Sequence, residues 1–305
     1  NVAVGYQSLR GVLNQSHSDN TAIGAYAGYS TTTGGNNFYG GKQAGFSSTT
    51  GSGNSYVGHQ AGRYNVTGSY TTAIGYAALH GALGQSHTSN TAIGHSSGYN
   101  TTTGGNNLFA GLSAGYSNTT GSDNTLLGVQ AGNASTTAQN NVFVGLQSGF
   151  RTTTGSNNLF AGYRAGENVT TGSTNVALGQ QALRNNKTGS GNISIGQDSL
   201  SNASNTAAGG NIAIGQAAGD ALTTGSDNII IGYGADASSA TVSNEVTLGN
   251  ASVTRFRIPG IGLDWTAVPA AGATSINGLS DGYAALNSVG LGSNALNSNT
   301  SGQYN

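Results

Sequence analysis

Glycine recurs along this chain at a fixed spacing, and the spacing limits what the chain can fold into. A glycine closes a short apolar segment every 17 residues, and three intervals of 19 residues keep the register because their extra residues fall in polar loops. Such a period is typical of repeat proteins in which each unit stacks on the next. The glycines of this register are Gly5, Gly24, Gly41, Gly58, Gly75, Gly94, Gly111, Gly128, Gly145, Gly162, Gly179, Gly196, Gly215, Gly232, Gly249 and Gly292.

Two further positions of the repeat are nearly constant. Four residues before the glycine stands Asn in thirteen of the sixteen coils, and stacked Asn side chains can hydrogen-bond from coil to coil. Three residues after the glycine every coil has Ala or Ser, which indicates a close approach of backbones. From these positions and the apolar segments we predict structural roles for Asn20, Asn37, Asn54, Asn107, Asn124, Asn141, Asn158, Gly111, Gly128, Gly145, Ala114, Ala131, Ser148, Phe143 and Phe160.

The composition favours a thin, elongated core. The 305 residues include 52 glycines, 35% hydrophobic residues and 6% charged residues, so a single thick core would be hard to fill. The net charge of −1 and the absence of a basic stripe argue against nucleic acid as a partner. No cysteine is present, which excludes disulfides, and no apolar run reaches the ~20 residues that span a membrane.

We therefore predict an all-β fold, a parallel β-solenoid of 17-residue coils. Each coil is expected to contain a strand, a tight bend, a second strand and a Thr-Gly turn, where glycine permits positive φ. A coil this short covers its core only by stacking on the next one. About fifteen coils over residues 1–249 form the predicted shaft.

The apolar segments predict that both faces of the sheet are buried. In VFVG (142–145) and LFAG (159–162) the residues one, two and three before the glycine are all apolar, whereas a strand with one solvated face would alternate. One face can fill the core of the protomer, and an identical neighbour about a shared axis is the simplest cover for the other. The small residue at the Ala/Ser position is then expected to mark the close approach to that neighbour. The prediction is a parallel homotrimer; a monomeric two-layer solenoid is the alternative.

The repeat resembles two families of fibrous proteins. NTAIGAYAG and NIAIGQAAG resemble the head repeat of trimeric autotransporter adhesins, which implies a left-handed β-roll in a trimer. GYSTTTGGNNFYGGKQAGFSSTTGSGNSYVGHQAG resembles the tail-fibre repeats of bacteriophages, especially those that infect cyanobacteria. This second resemblance, over residues 1–249 and 287–305, implies a virion appendage for host attachment, with virion or baseplate proteins and a host glycan or protein as partners. An adhesin head at a bacterial surface is the first alternative, and a tailspike depolymerase the second.

The repeat is interrupted over residues 250–286, which hold both prolines and the only tryptophan. We predict a junction there, in which Trp265 and Phe256 pack between chains and VTRFRI forms a strand. Residues 287–305 are expected to start a second solenoid block.

The first and last residues fall inside a coil, so the sequence predicts a protein that continues in both directions. Residues 5–58 also align with 75–128, which suggests duplication of a four-coil block.

The carboxylates do not form a pattern typical of catalysis. A glycosidase needs two carboxylates facing each other. Asp220 with Asp227, or Asp236 with Glu245, could meet on neighbouring coils, but all four stand at turns, where such residues bond the backbone. We predict no catalytic residue, no cofactor and no enzymatic activity.

The remaining candidate sites are also better explained by structure. His17 and His87 occupy the same place in two QSH loops and are expected to be exposed; a ring of His17 from three chains is the weaker, metal-binding interpretation. NVT at 65–67 and at 168–170 matches the glycosylation sequon. Ice binding is disfavoured because the TTTG threonines stand at turns and not along a strand face.

Overall fold

The computed structural model describes residues 1–11, 16–202, 209–258 and 263–266, with side chains as far as residue 255. Regular structure in these residues is entirely β. It falls into two units, Asn1–Asn250 and a second that begins at Ala251. The strands are β1 Val2–Val4, β2 Thr21–Ile23, β3 Phe38–Gly40, β4 Ser55–Val57, β5 Thr72–Ile74, β6 Thr91–Ile93, β7 Leu108–Ala110, β8 Thr125–Leu127, β9 Val142–Val144, β10 Leu159–Ala161, β11 Val176–Leu178, β12 Ile193–Ile195, β13 Ile212–Ile214, β14 Ile229–Ile231, β15 Val246–Leu248, β16 Arg255–Ile258 and β17 Leu263–Thr266.

The first unit is one parallel sheet wound into a solenoid. Strands β1 to β15 follow each other in chain order, and every neighbouring pair is parallel. Equivalent positions pair directly, as Phe143 with Phe160, and the two-residue insertion between β1 and β2 leaves Ala3 paired with Ala22. The predicted β-solenoid of about 17-residue coils is therefore confirmed, with about 14 turns.

Each described coil contains one strand of three residues, so the prediction of a second strand is wrong. After the strand Phe38–Gly40 the backbone passes through Gly41, Gln43 and Gly45, with φ of 137°, 59° and 57°. Left-handed residues at alternate positions cannot continue an extended strand. The rest of the coil is a run of turns, held to the previous coil by bonds such as Gln43 N–H to the Ala25 carbonyl, 2.9 Å.

The repeat glycines lie where two backbones meet. A Cβ added to Gly41 would lie 2.6 Å from the carbonyl oxygen of Gly58 in the next coil, and one on Gly128 would lie 2.4 Å from that of Gly145. The positive φ of these residues is a second obstacle to any side chain. Both restrictions recur with the coil, which explains why the register is marked by glycine.

The core is one side chain thick and runs the length of the unit. The middle residue of every strand from β2 to β14 is buried, and Phe109, Phe143 and Phe160 have no exposed surface. The same buried cluster includes the Ala or Ser position and residues seven after the glycine, such as Val169 and Leu222. This thin, continuous core matches the prediction from composition.

Three segments make up each coil and differ in chemistry. In the coil of Gly41 we call residues 38–42 the strand segment, 43–48 the turn segment and 49–54 the hydroxyl segment. A column is the set of residues at the same position in successive coils. Columns of the hydroxyl segment bond along the stack, as in Thr49 Oγ1 to the Val66 carbonyl, 3.0 Å, and Ser52 N–H to Ser69 Oγ, 3.0 Å.

The second unit contains one described antiparallel pair, β16 with β17. Its register places Phe256 opposite Trp265, and the strand predicted in VTRFRI is present as Arg255–Ile258. The packing predicted for the side chains of Phe256 and Trp265, and the solenoid block predicted at 287–305, lie outside the described residues.

Candidate functional site

The Asn column forms a buried ladder, as predicted. Asn37 N–H donates to Asn20 Oδ1 at 2.9 Å, and Asn37 Nδ2 donates to the Gly51 carbonyl at 2.9 Å. Because each side chain accepts from the coil on one side and donates across the turn, the ladder satisfies backbone groups that would otherwise be buried without partners. The predicted ladder residues Asn20, Asn37, Asn54, Asn107, Asn124, Asn141 and Asn158 are all buried.

The Ala/Ser column lies inside the protomer, so the expected contact with another chain at this column is wrong. Ala114, Ala131 and Ser148 have no exposed surface in the single chain, and Ser148 Oγ donates to the carbonyl of Phe160 at 3.0 Å. The small side chain is required because the column shares the thin core with the large residues of the strands.

The inward column includes the two predicted aromatic residues. The rings of Phe143 and Phe160 stack with centroids 4.9 Å apart and planes 4° apart. This separation is close to the spacing of neighbouring strands, so identical rings on successive coils stack without any change of register.

The outward residues of β1–β15 form what we call the apolar face. They are the residues one and three before each repeat glycine, and many are large and aliphatic: Ile93 is 46% exposed, and Val144 and Ile231 are each 39% exposed. A face of fifteen strands extends about 70 Å at the usual strand spacing. Exposed apolar surface of that extent is typical of a surface that binds a partner.

Side-chain sizes on the apolar face are balanced within most strands of its first two thirds. In β2–β10 a large first residue accompanies a small last one, as in FYG of β3 and LFA of β7 and β10, and TAI of β2, β5 and β6 reverses the order; β9 is the exception. A Cβ added to Gly40 would lie 3.0 Å from the ring of Phe38. Close packing against a partner requires that the two outward side chains of each strand fill about the same total volume, whereas contact with water does not.

Aromatic residues form a ladder on the turn segments that the sequence analysis missed. Tyr29 stacks on Phe46 with centroids 5.0 Å apart, and the His80, Tyr99 and Tyr116 rings stack at 4.7 and 5.1 Å. All stand five residues after a repeat glycine, which is the signal that could have revealed them. Their faces are covered by one another, so the ladder contributes to stacking of the coils.

His87 is buried, which corrects the expectation of an exposed QSH loop. The residue is 1% exposed, its backbone N–H donates to Asn65 Oδ1 at 3.2 Å, and burial lowers the pKa of its imidazole from 6.5 to about 4. His17 is half-buried in the equivalent loop. Among the described residues no group of three or more His, Asp or Glu side chains could hold a metal ion.

The candidate carboxylates bind to turn residues. Asp220 Oδ1 accepts from Ser201 Oγ at 2.7 Å, and Asp236 Oδ1 accepts from the Ala221 N–H at 3.0 Å. Bonds from Ser238 lower the pKa of Glu245. Asp227 is exposed. These contacts suit turn formation, and none poises a carboxyl group to donate a proton.

One of the two predicted sequons is inaccessible. Asn65 is 1% exposed and its Nδ2 donates to the Tyr56 hydroxyl at 2.7 Å, so the folded coil does not present it to a modifying enzyme. Asn168 is half-buried and donates to Asn185 Oδ1 at 2.8 Å.

Comparisons of the chain with protein-family models, with curated proteins and with solved structures find no match. No helix that could cross a membrane is present in the part of the chain that the structure describes. The function must therefore be inferred from the columns themselves.

Proposed function

We propose that this chain is a structural segment of an attachment fibre, a shaft that associates with copies of itself through the apolar face. The observation that carries the proposal is this face, which continues over fifteen strands and has balanced side-chain sizes in eight of the nine strands β2–β10. A parallel homotrimer covers it and leaves the turn and hydroxyl segments at the surface.

The setting that we propose is a phage tail fibre or similar virion appendage, outside the cell. The resemblance of the STTTGGNN-type coils to phage-fibre repeats supports this setting. So does the stacking of similar coils, because the length of such a fibre is set by the number of coils. The role is to position a tip that binds the host, with virion or baseplate proteins as further partners. A depolymerase is less well supported because the carboxylates bind to turns.

Substitution on the apolar face tests the proposal. Sedimentation of the full chain should give a mass three times 30.1 kDa. Val144→Lys should dissociate the assembly because it would bury three unpaired charges. Thr154→Lys, on the exposed hydroxyl segment, is the matched control and should not change the mass. A wild-type chain that sediments as a monomer would support the two-layer solenoid instead.

A further inference from the structure

Charged residues are distributed unevenly along the solenoid. Residues 1–195 contain seven Lys and Arg against three Asp and Glu, whereas residues 196–250 contain five Asp and Glu and no Lys or Arg. The stacking of the coils does not require this separation, since equivalent positions elsewhere are neutral. Four of the cations fall on three successive coils, and we call them the cationic patch: Arg151, Arg164, Arg184 and Lys187.

One carboxylate bridges the two central arginines of the patch. Arg184 Nε lies 2.8 Å from Glu167 Oε2, and Arg164 Nε lies 3.6 Å from Glu167 Oε1. The side chains of Arg151 and Lys187 are exposed. Because Glu167 neutralises only one of four cations, the patch keeps a net positive charge of three.

The two bridged guanidinium groups are fixed in place. Arg164 Nε donates to Gln147 Oε1 at 3.0 Å, and its guanidinium lies 5.1 Å from the centre of the Tyr163 ring. Arg184 Nη1 donates to Gln181 Oε1 at 2.9 Å. Groups held this way lose little freedom on binding, and guanidinium presents paired donors to carboxylate or sulfate oxygens.

The patch is surrounded by amides that repeat with the coil. Asn168 and Asn185 stand six residues after their repeat glycines on neighbouring coils, whereas Gln147 and Gln181 stand two residues after theirs on coils that flank the coil of Arg164. Neutral hydrogen-bonding groups at the coil spacing of about 4.8 Å match a ligand that also repeats along its length and carries hydroxyl groups. A globular protein without repeats would not present such regular groups.

We propose that the cationic patch binds an anionic polysaccharide along the fibre axis, with Arg164 and Arg184 pairing its acidic groups, the exposed Arg151 and Lys187 adding electrostatic attraction, and the amides bonding its hydroxyls. The patch stands on turn segments and on the first residue of a hydroxyl segment, outside the apolar face. The acidic coils that follow, with Asp198, Asp220 and Asp236, end the site on one side. This inference deepens the attachment role and rests on it for its biological setting.

Titration calorimetry of the full chain tests the site with three polymers: polygalacturonate, dextran sulfate and uncharged dextran. At an ionic strength of about 50 mM, where screening is weak, we expect an acidic polymer to bind and dextran not to bind. The better polymer identifies the acidic group as carboxylate or sulfate. Arg151→Gln with Lys187→Gln should weaken binding about tenfold without disturbing the Glu167 bridge, and Glu167→Gln should strengthen it.

The control removes the same charge elsewhere, by Arg10→Gln with Lys42→Gln, both exposed and remote from the patch. Equal weakening by control and patch variants, no binding of either acidic polymer, or equally tight binding of single-stranded DNA would each overturn the proposal. The sedimentation mass of the same samples separates this outcome from failure of the proposed assembly, because patch variants should keep the wild-type mass.

Discussion

At the repeat glycines a single residue determines how closely two coils approach. From Gly5 to Gly215 the carbonyl group of the next repeat glycine lies so close that no Cβ fits, and the φ values of 128–140° are open only to glycine. The sequence alone revealed this position, because both restrictions act on residue type. The left-handed residues two positions later, such as Gln43 and Gln60, gave no such signal, since the residue type at this position varies from coil to coil.

Replacement of a repeat glycine should cost far more than replacement of a loop glycine. Gly128→Ala would place a methyl group against the Gly145 carbonyl, and we expect the free energy of unfolding to fall by about 3 kcal/mol or more. Gly84 also has positive φ but has open space around it, so Gly84→Ala should cost about 1 kcal/mol. Urea denaturation followed by circular dichroism measures both. Equal losses would mean that φ alone, and not contact between coils, selects glycine.

Among the elements, strands were easier to predict than turns. The period, the parallel pairing and the Asn ladder follow from residues that repeat, and the structure contains them. The second strand was predicted wrongly because the turn segment contains apolar and small residues at strand-like spacing, and its alternating left-handed backbone has no distinct composition. The inserted QSH loop was expected to bulge outward, yet His87 is buried. It stands seven residues before its repeat glycine, the position that Gly68 and Gly104 hold in other coils.

Burial of His87 predicts a loss of stability in acid. Its pKa is about 4 in the folded chain against 6.5 for a solvated imidazole, so between these values the unfolded chain binds more protons. Stability from this residue is therefore complete above pH 6.5 and falls as the pH drops towards 4, by about 3 kcal/mol in all.

Denaturation of wild type and His87→Gln at pH 7 and pH 4.5 measures this dependence. The substitution should reduce the difference between the two pH values, and His80, whose pKa is also lowered by burial, should account for part of what remains. His95→Gln, at an exposed histidine, is the control and should retain the difference. A His87→Gln chain with unchanged pH dependence would show that His87 is accessible to protons in the folded state.

For the whole molecule, the sequence predicted that a second face of the sheet is covered by another chain, but it assigned the wrong column to that face. The Ala/Ser column belongs to the core of the protomer, whereas the outward strand residues carry the exposed apolar surface. The number of chains, the left-handed winding and the placement in a virion stay predictions, because a repeat pattern specifies contacts between coils and not symmetry or location. The uneven charge was present in the sequence, but only the structure showed that Glu167 bridges Arg164 and Arg184.

Coverage of the apolar face is tested most directly by thiol reactivity, since the chain has no cysteine of its own. Val144→Cys and Thr154→Cys each introduce one thiol on an outward position, one on the apolar face and one on a hydroxyl segment. If copies of the chain cover the face, the native Val144→Cys thiol should react with a thiol reagent at least about tenfold more slowly than the Thr154→Cys thiol. Equal rates for the two native thiols would contradict self-association through this face.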